Sequence, residues 1–537
     1  MPLWYDDAEL FRHRRAAPIR GWERWALGIL LFLGVQSVVW FALWWFRADH
    51  VNQIVLFVLL SFATWFGVFR IMVGWYNVFH VDQPDVMTPR SGLRVAIFTT
   101  SAPGEPYEMF VRTLAAARDI TYPHTTYLLD DTRDPRMRGL AEEMGAVHLE
   151  LLDLPGAKAG KINAALQQTD EELIVVLDPD HIPFPQFLDR VLGYFDDEEV
   201  GFVQVAQAYG NARESFVARA AAEQTYAFYG PIMQGMFGTG TAVAIGANCT
   251  FRRAALESIG GHGIGLAEDL VTSIRLHARG WKSVYVPEVV SRGLVPADLD
   301  SYLKQQLKWS RGVYEVLFRE YPRAFRKLSG YQRISYFMIG SYYLVGVTSL
   351  IFLSVPLIYL FTGLQPAVFL LSEYIEHAFP VGLFGAAVYF FSQRWLADPN
   401  RERGVHWRGM LLKIGAWNVY LKGLALAILG IAVPYIPTAK QRRHARFWTL
   451  ARLPVALLLL SLLAVAWTVY MQLYVMPEAE VLITTEVTLG MVTFTIINAV
   501  MMSGRLYAAW TDRSRSVSAS DRSRSASASD RARKEDA

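Results

Sequence analysis

Hydrophobic residues in this chain form two kinds of run, long uncharged ones and shorter interrupted ones. Trp25–Phe46 is 22 residues without a charge, enough to cross a hydrocarbon core of about 30 Å at about 1.5 Å per residue. Val51–Phe69 is a second such run, a few residues further on. The two runs predict a hairpin of membrane-spanning helices. The first run is too long for a cleaved signal peptide and lacks its small-residue cleavage site.

From about residue 90 to residue 326 the pattern becomes that of an α/β domain. Charged residues are frequent there, and short β-branched runs alternate with helical stretches. The continuous apolar run "LIVVL" is what a strand buried on both faces requires. The pattern predicts six strands, at Val95–Thr99, Thr126–Asp130, Val147–Leu151, Leu173–Leu177, Gly201–Gln207 and Val284–Pro287.

Five apolar stretches follow this domain, and the charges between them decide how many span a membrane. Residues 394–408 and 440–446 are both rich in Lys and Arg, which predicts that both lie on the cytoplasmic side. The stretch Trp407–Val433 between them therefore predicts an interfacial amphipathic helix and not a span. Four spans remain, at Ile334–Leu360, Phe379–Phe391, Leu453–Leu473 and Val481–Met502.

Two further segments differ in character from the spans. Tyr302–Tyr321 mixes large apolar residues with Lys and Arg at helical spacing, which fits either a helix on the membrane surface or an ordinary solvated helix. The tail 511–537 is rich in Ser and Arg and is devoid of large apolar residues. Its composition therefore predicts disorder.

The chain is thus expected to have four regions and about six spans, with the α/β domain and both termini in the cytoplasm at the inner (plasma) membrane. The predicted regions are 1–89 with two spans, 90–326 as the α/β domain including the surface helix 302–321, 327–510 with four spans, the interfacial helix 407–433 and the loop 434–446, and the tail 511–537.

Composition agrees with a membrane protein and narrows the chemistry. Hydrophobic residues make up 53% of the chain and the mean hydropathy is +0.21, both more than a soluble enzyme needs. Cys249 is the single cysteine, which excludes an intramolecular disulfide and a multi-cysteine metal site. The net charge of +3 gives no indication of a nucleic-acid partner, and we expect none.

Two carboxylates follow the fourth predicted strand, in the stretch "VVLDPDHIP". Asp178 and Asp180 lie where ligands bind in open α/β sheets, beyond the carboxyl end of a strand. Hard oxygen ligands at one loop suit Mg²⁺ or Mn²⁺, which bridges to substrate phosphates. A turn followed by a helix cap explains a lone D-x-D more simply. His181 could assist at the metal ion or form a hydrogen bond within the turn, and we prefer the hydrogen bond.

Four more polar features occur around this D-x-D, and their order favours a common site. Taken alone, each is explained as a capping acid, a solvated lysine or a buried tryptophan. The features are Asp130 and Asp131 in "LLDD", Lys158 and Lys161 in "GAKAGKINAAL", Glu268 and Asp269 at a predicted helix start, and Gln305, Lys308 and Trp309 in "QQLKWSRG".

These motifs resemble the D, D, D, Q-x-x-R-W signature of processive family-2 glycosyltransferases, the group that includes cellulose, hyaluronan and chitin synthases. "AKAG" and "DPDHIP" are most similar to the cellulose synthase branch, and "QVAQ" at Gln204–Gln207 is similar to its Q-T-P motif. "YIPTAK" resembles the F-x-V-T-x-K gating loop, matched at Tyr435, Thr438 and Lys440. The resemblance covers roughly Leu93–Lys440.

The resemblance implies a GT-A, Rossmann-like nucleotide-sugar domain joined to a transmembrane domain, with Mg²⁺ or Mn²⁺ as cofactor. It also assigns residue roles. Asp269 is the expected catalytic base, Asp178 and Asp180 the metal ligands, and Glu268, Gln305 and Trp309 the acceptor-binding residues, although Trp309 also fits a structural role. The expected nucleotide-sugar-binding residues are Asp130, Asp131, Lys158, Asp178, Lys308, Thr438 and Lys440.

Three features depart from the family pattern. Lys308 replaces an arginine, which keeps the charge but loses the two-pronged grip on phosphate. Val243–Ala247 stands where cellulose synthases have F-F-C-G-S, which leaves the polymer and its linkage open; nearby, Cys249 is expected to be an apolar filler. Nothing resembles the cyclic-dinucleotide-binding domain of bacterial cellulose synthases, so we expect no control by cyclic-di-GMP within this chain.

The first functional hypothesis is an inverting, processive glycosyltransferase. It would add hexose, glucose by default, from a UDP-sugar to a growing β-glycan and move the polymer through its own spans, with the lipid bilayer and export subunits as partners. A second hypothesis is a non-processive transferase that glycosylates a lipid acceptor. A third is a catalytically inactive transport or scaffold protein that binds a nucleotide sugar.

Overall fold

The structure is a computed structural model that describes residues 19–433, 446–475 and 485–535. The predicted gating loop, with Tyr435, Thr438 and Lys440, lies outside the described residues. The predicted boundaries of the four regions remain predictions.

Eight strands form one mixed sheet in the order β3-β2-β1-β4-β7-β6-β8-β5. The first four in this order are parallel, whereas β7 is antiparallel to both β4 and β6. The strands are β1 Val95–Thr100, β2 Thr125–Asp130, β3 Val147–Glu150, β4 Leu173–Leu177, β5 Ile182–Pro183, β6 Val200–Tyr209, β7 Cys249–Arg252 and β8 Lys282–Gly293.

The six predicted strands are confirmed, and the structure adds β5 and β7. Strand β7 escaped prediction because its four residues, "CTFR", include Thr and Arg and form no apolar run. Neighbouring side chains point to opposite faces, so that Ile97 and Val175 lie in one hydrophobic cluster and Phe98 and Val176 in another. The central strands β1 and β4 are therefore buried on both faces, as the "LIVVL" run predicted for β4.

Nineteen α-helices are present in the described residues. In chain order they are α1 Gly21–Trp45, α2 Ile54–Phe79, α3 Tyr107–Arg118, α4 Arg136–Glu143, α5 Ala157–Leu166, α6 Phe216–Glu223, α7 Met233–Gly238, α8 Arg253–Ser258, α9 Glu268–Ala278, α10 Leu299–Glu315, α11 Tyr321–Ala324, α12 Gly330–Gly340, α13 Val345–Thr362, α14 Leu371–Ser392, α15 Pro399–Glu402, α16 Trp407–Gly415, α17 Trp417–Ile428, α18 Phe447–Tyr470 and α19 Thr485–Glu535.

Six helical stretches of the described chain are long and apolar enough to cross a membrane, which confirms the predicted number. They are Gly21–Trp45, Ile54–Phe79, Gly330–Thr362, Leu371–Trp395, Phe447–Tyr474 and Glu486–Asp512.

The predicted interfacial stretch forms two helices, α16 and α17, with a 49° bend between them. By length and composition this pair would make a seventh span if it crossed as one unit. The helices pack both on α6 and α10 of the α/β domain and on α13 and α19 of the membrane helices. Packing on both sides favours the predicted place at the membrane surface, because the pair fills the space between the two regions.

A cluster of buried side chains, here called the junction cluster, joins the α/β domain to the membrane helices. It contains Val217 and Ala220 from α6, Tyr302 from α10, Leu412 from α16 and Tyr420 from α17. Because Tyr302 is buried against these helices, α10 is not an ordinary solvated helix.

Arg505 in α19 is buried among membrane helices and donates to two backbone carbonyls. Its Nε donates to Leu450 O at 3.1 Å and its Nη1 to Gly415 O at 3.0 Å. Pro454 has no N–H to offer to Leu450 O, and Gly415 ends α16, where carbonyls lack partners within the helix. One guanidinium thus satisfies the orphaned carbonyls of two other helices.

Helix α19 extends to Glu535, and its part from residue 511 has no Pro or Gly that would break a helix. The predicted disorder of the tail 511–537 remains a prediction.

The second membrane helix touches the α/β domain at a glycine. A Cβ added at Gly235 in α7 would overlap the backbone carbonyl of Asn77 in α2. We predict that Gly235→Ala destabilises the protein by about 1–3 kcal/mol, because backbone on both sides has to move apart. Thermal unfolding of the detergent-solubilised protein measures this change.

The control is Gly74→Ala, also in α2, where an added Cβ meets nothing within 4 Å. We expect an unchanged or slightly higher melting temperature, since Ala favours a helix over Gly. Equal melting temperatures for the Gly235 variant and the unaltered protein would contradict the close packing of α7 on α2.

Candidate active site

Polar side chains gather where three neighbouring parallel strands end. Ser101 follows β1, Asp130 ends β2, and Asp178 follows β4. Because β1 lies between β2 and β4 and is parallel to both, these three carboxyl ends meet at one edge of the sheet. This topology places Asp130, Asp131 and Asp178 at the same edge of the sheet, as the sequence predicted.

Asp130 is buried and its carboxylate is engaged on several sides. Ser101 Oγ donates to Asp130 Oδ1 at 2.6 Å, the Thr132 N–H donates to the same oxygen at 2.9 Å, and His148 Nε2 lies 3.0 Å from Oδ2. Although burial opposes the charge, the hydrogen bonds from Ser101, His148 and Thr132 hold the pKa of Asp130 below its usual value. This arrangement shapes the loop that presents Asp131.

Asp131 is more accessible and faces a lysine. Lys161 Nζ donates to Ser101 O at 2.5 Å and lies 3.4 Å from Asp131 Oδ2. The Asp153 N–H donates to the other oxygen of Asp131 at 3.1 Å. Lys161 thus ties the loop after β1 to the loop after β2, so its first role is to fix these loops.

Lys158 is the cation closest to the D-x-D. Its Nζ donates to Asp178 Oδ1 at 2.5 Å and also to the carbonyl oxygen of Gly246. The lysine side chain is only 6% exposed, compared with 33% for Asp178. Burial opposes its charge, but Asp178 and Glu268 raise the pKa of Lys158 above its usual value. A positive charge is therefore held permanently beside the D-x-D.

Asp180 and His181 form the deeper half of this motif. The Leu294 N–H donates to Asp180 Oδ2 at 3.1 Å, and His181 Nδ1 lies 3.4 Å from Asp180 Oδ1. On its other side, His181 Nε2 lies 2.8 Å from Gln207 Nε2. A Cβ at Gly293 would overlap the His181 ring, so glycine is required where the ring rests on β8.

Asp178, Asp180 and His181 fit a divalent metal ion. Each offers one ligand atom, and these atoms lie within 4.8 Å of one another. His181 Nδ1 is buried and makes no hydrogen bond, which leaves it available as a ligand. Two carboxylates and one imidazole suit Mn²⁺ or Mg²⁺. The structure thus adds His181 to the two aspartates, where the sequence favoured a turn.

Glu268 and Asp269 begin α9 on the other side of Lys158. Burial and the negative charge of Glu268 raise the pKa of Asp269 to about 7. Burial also raises the pKa of Glu268, against the pull of Lys158 and Lys308. Asp269 thus has the properties of a group that gains and loses a proton near neutral pH.

Gly246 lies between Lys158 and Asp269. Its carbonyl accepts a hydrogen bond from Lys158, and a Cβ built on it would lie 3.3 Å from Asp269 Oδ2. Asp178, Glu268 and Asp269 all act electrostatically on Lys158. The metal-binding group (Asp178, Asp180 and His181) and the acids at the start of α9 therefore surround Lys158, and this cluster of side chains is here called the pocket.

The segment that departs from the cellulose synthase pattern, residues 243–247, is fixed by buried side chains. Gln204 accepts from the Ile245 N–H at 3.0 Å and donates to Ala247 O at 2.9 Å. Ser273 Oγ accepts from the Ala244 N–H at 2.8 Å. Gln204, the first residue of "QVAQ", therefore shapes the wall of the pocket from a neighbouring strand.

The three residues of the Q-x-x-K-W motif lie half-buried on α10. The positive charge of Lys308 acts on Glu268, which puts this lysine on the α9 side of the pocket. Trp309 packs against the junction cluster, which supports the structural role that the sequence left open. The roles predicted for Gln305 and Trp309 in acceptor binding remain predictions.

Sequence analysis missed four residues that organise the site, Ser101, His148, Gly293 and Leu294. Ser101 could have been found, because it follows directly after an apolar strand, as Asp178 does. The other three act through contacts between segments that are separated in the sequence. The local sequence gives no signal for such contacts.

Two family comparisons agree with this pocket. Residues 95–312 match the family described as Glycosyltransferase like family 2, and residues 257–379 match the family described as Cellulose synthase. These two ranges contain the described residues of the pocket, from Ser101 to Trp309.

Curated relatives include the cellulose synthase catalytic subunit (UDP-forming) of Komagataeibacter sucrofermentans, 30% identical over 262 residues, 47% of this chain and 35% of that protein. The protein of the same name from Xanthomonas axonopodis pv. citri is 27% identical over 342 residues, 60% of this chain and 47% of that protein. The chain spans less than half the length of each of these two relatives.

Among solved structures, a mannosyltransferase from Pyrobaculum calidifontis in complex with GDP-Man and Mn²⁺ is 16% identical, with a TM-score of 0.45. The match covers 70% of this chain and 100% of that one. Between residues 95 and 379 the chain is thus similar to the family-2 glycosyltransferases and to the cellulose synthases among them.

Proposed function

We propose that this chain is an inverting, processive glycosyltransferase that builds a β-glycan from UDP-glucose. The observation that carries this proposal is the cluster in which a metal-binding group and an acid of raised pKa lie around one buried lysine. The names of the curated relatives supply the donor, because UDP-forming cellulose synthases release UDP.

The metal-binding group and Lys158 would handle the donor. Asp178, Asp180 and His181 would hold Mg²⁺ or Mn²⁺, which when bound neutralises charge on the sugar diphosphate. Lys158 adds a fixed positive charge at the same place, held there by Asp178. The bond from the sugar anomeric carbon to the diphosphate breaks, and UDP leaves with the electron pair.

Asp269 would act on the acceptor. An acceptor hydroxyl attacks the anomeric carbon from the face opposite the diphosphate, and its proton passes to the Asp269 carboxylate. A base works best when its pKa is near the working pH, and burial beside Glu268 brings Asp269 to about 7. Lys308, predicted to bind the nucleotide sugar, would also balance the charge of Glu268, on which it acts electrostatically.

A cavity among the membrane helices supports the proposal that the polymer leaves through the chain itself. It has a volume of about 290 Å³ and lies among α2, α13, α14 and α19, with Ile414 of α16 in its wall. Flat aromatic faces suit the apolar faces of sugar rings. The aromatic residues of its lining are Trp45, Phe352, Phe369, Tyr374 and Phe494.

In the proposed orientation the protein lies in the inner membrane. The α/β domain and both termini are on the cytoplasmic side. It rests on the two basic segments, 394–408 and 440–446, and on the six apolar helices. The donor is then met on the side where nucleotide sugars are made, and export subunits would receive the polymer on the other side.

The product of the reaction tests this proposal directly. Membranes that contain the protein are incubated with radiolabelled UDP-glucose and Mg²⁺, then extracted with organic solvent. We expect the label in high-molecular-weight material that lipid solvents do not extract and that a β-glucanase digests. EDTA should stop incorporation, and added Mg²⁺ or Mn²⁺ should restore it.

Other results point to the other hypotheses. Label that moves into the lipid extract would indicate a non-processive transferase with a lipid acceptor. No incorporation into either fraction, with UDP binding retained, would indicate an inactive scaffold protein. Full activity in EDTA would contradict the role of Asp178, Asp180 and His181 in metal binding.

Replacing the proposed base tests the chemical step. We predict that Asp269→Asn lowers kcat by about 10²–10⁴-fold, because the amide cannot take the acceptor proton. UDP binding, measured by calorimetry, should stay within about threefold, because the base acts in the transition state and not in donor binding. Asp119→Asn, at an aspartate 61% exposed on the surface, is the matched control and should keep full activity.

The raised pKa of Asp269 predicts a pH profile. Below about pH 7 the carboxyl keeps its proton and cannot act as base, so kcat/KM should fall about tenfold per pH unit on the acid side. Glu268→Gln should move this acid limb to lower pH, because it removes the negative charge that raises the pKa of Asp269. A profile that is flat between pH 5.5 and 8 in the unaltered protein would exclude Asp269 as the base.

A further inference from the structure

The loop that links α14 to α16 lies against the α/β domain. Trp395 O accepts a hydrogen bond from Gln234 Nε2 in α7 at 2.7 Å. Gly230 lies directly beside the same loop, since a Cβ built on it would come within 3.0 Å of Leu396 Cα. The approach of backbone to backbone fixes this part of the loop on the domain.

A buried ion pair joins the same loop to the strand beneath the metal-binding group. Arg292 Nη2 in β8 lies 2.8 Å from Asp398 Oδ2, and the two side chains are 3% and 16% exposed. Asp398 is itself held, because its N–H donates to Glu402 Oε2 at 3.1 Å across the short helix α15. The pair is shielded from water and connects the membrane-helix region to the end of β8.

Three consecutive residues at the end of β8 support the metal-binding group. Arg292 pairs with Ile182 of β5, Gly293 gives the His181 ring its place, and Leu294 N–H donates to Asp180. Strand β5 has only two residues and is the last strand of the sheet. The Asp180–His181 turn therefore depends on the position of these three residues.

We propose that Arg292 and Asp398 are a positioning pair, through which the loop between α14 and α16 holds Asp180 and His181 in place to bind the metal ion. This inference rests on the proposed function in one respect, that Asp178, Asp180 and His181 bind the metal. It gives the membrane-helix region a part in donor binding that does not depend on the path of the polymer.

The physical reason is that the charge of Arg292 depends on the carboxylates beside it. A guanidinium that is almost fully buried needs such a partner, because an unpaired charge in the interior is strongly unfavourable. Asp398 makes the direct contact, and Glu402 also acts on Arg292. If Asp398 loses its charge, the Arg292 side chain has to move toward its remaining partners, and the end of β8 moves with it. The hydrogen bond from the Leu294 N–H to Asp180 is then weakened, and the His181 ring loses its contact with Gly293.

Direct metal binding tests the pair without any need for sugar transfer. Mn²⁺ binding to the full-length protein in detergent, with UDP present, is followed by the electron paramagnetic resonance signal of free Mn²⁺. We expect Asp398→Asn to raise the Kd for Mn²⁺ by about 10–100-fold, the usual effect of losing a group that orients metal ligands. The Mg²⁺ concentration for half-maximal activity should rise in parallel.

Arg401→Gln is the matched control. Arg401 Nε lies 3.8 Å from the same carboxylate of Asp398, but it sits on α15 and not on β8. We expect its Kd for Mn²⁺ to stay within about twofold of the unaltered protein. An increase as large as that of Asp398→Asn would overturn the specific role of Arg292.

A milder variant covers the case in which Asp398→Asn does not fold. Arg292→Lys keeps the charge and loses the two-pronged contact, so the protein should fold and bind Mn²⁺ about three- to tenfold more weakly. A lower melting temperature with an unchanged Kd for Mn²⁺, in either variant, would show a purely structural pair and overturn the inference.

The two proposals can fail separately. If the unaltered protein binds Mn²⁺ and the variants lose it, but no polymer forms, the positioning pair stands and the proposed function fails. If polymer forms and the variants bind Mn²⁺ normally, the function stands and the pair is refuted. If the unaltered protein binds no Mn²⁺ at all, both the metal site and the pair are refuted.

Discussion

A buried lysine among carboxylates sets the conditions for the whole pocket. Lys158 contacts Asp178, and the negative charges of Glu268 and Asp269 also act on it, although its side chain is almost completely buried. In a medium of low dielectric constant, one cation cannot keep three nearby acids fully ionised. Asp178 has the direct contact with the lysine, whereas burial raises the pKa of both Glu268 and Asp269. In the proposed function, this unequal sharing of one positive charge separates donor binding from proton transfer.

The second constraint is the tight contact between the α/β domain and the membrane helices. It uses three kinds of interaction: backbone against backbone at Gly235 and Asn77, the apolar junction cluster, and the buried ion pair of Arg292 and Asp398. Small residues such as Gly235 allow the backbones of the two regions to approach closely. The ion pair fixes the orientation of one region on the other, which apolar contacts alone do not. The pocket is consequently held in a fixed position relative to the helices that line the 290 Å³ cavity.

Much of the site could be predicted because it follows from local rules. Apolar runs of strand length end at Asp130 and Asp178, and parallel neighbouring strands bring such ends together. The place of the His181 ring beside Asp178 and Asp180 could not be predicted, since it rests on Gly293, more than a hundred residues later. The raised pKa of Asp269 likewise depends on burial, which no spacing reveals. Strand β7 was missed because its composition does not favour a strand. It forms because it pairs with β4 on one side and β6 on the other.

The guanidinium of Arg505 has a consequence for the order of biosynthesis. It completes the hydrogen bonding of Leu450 and Gly415, yet it belongs to α19, which the ribosome makes after α16 and α18. Until α19 is made, α16 and α18 each keep an unsatisfied carbonyl in a region with little water. The packing of α16 and α18 is therefore completed only once α19 is in place, and a chain truncated before Arg505 leaves both carbonyls without this donor.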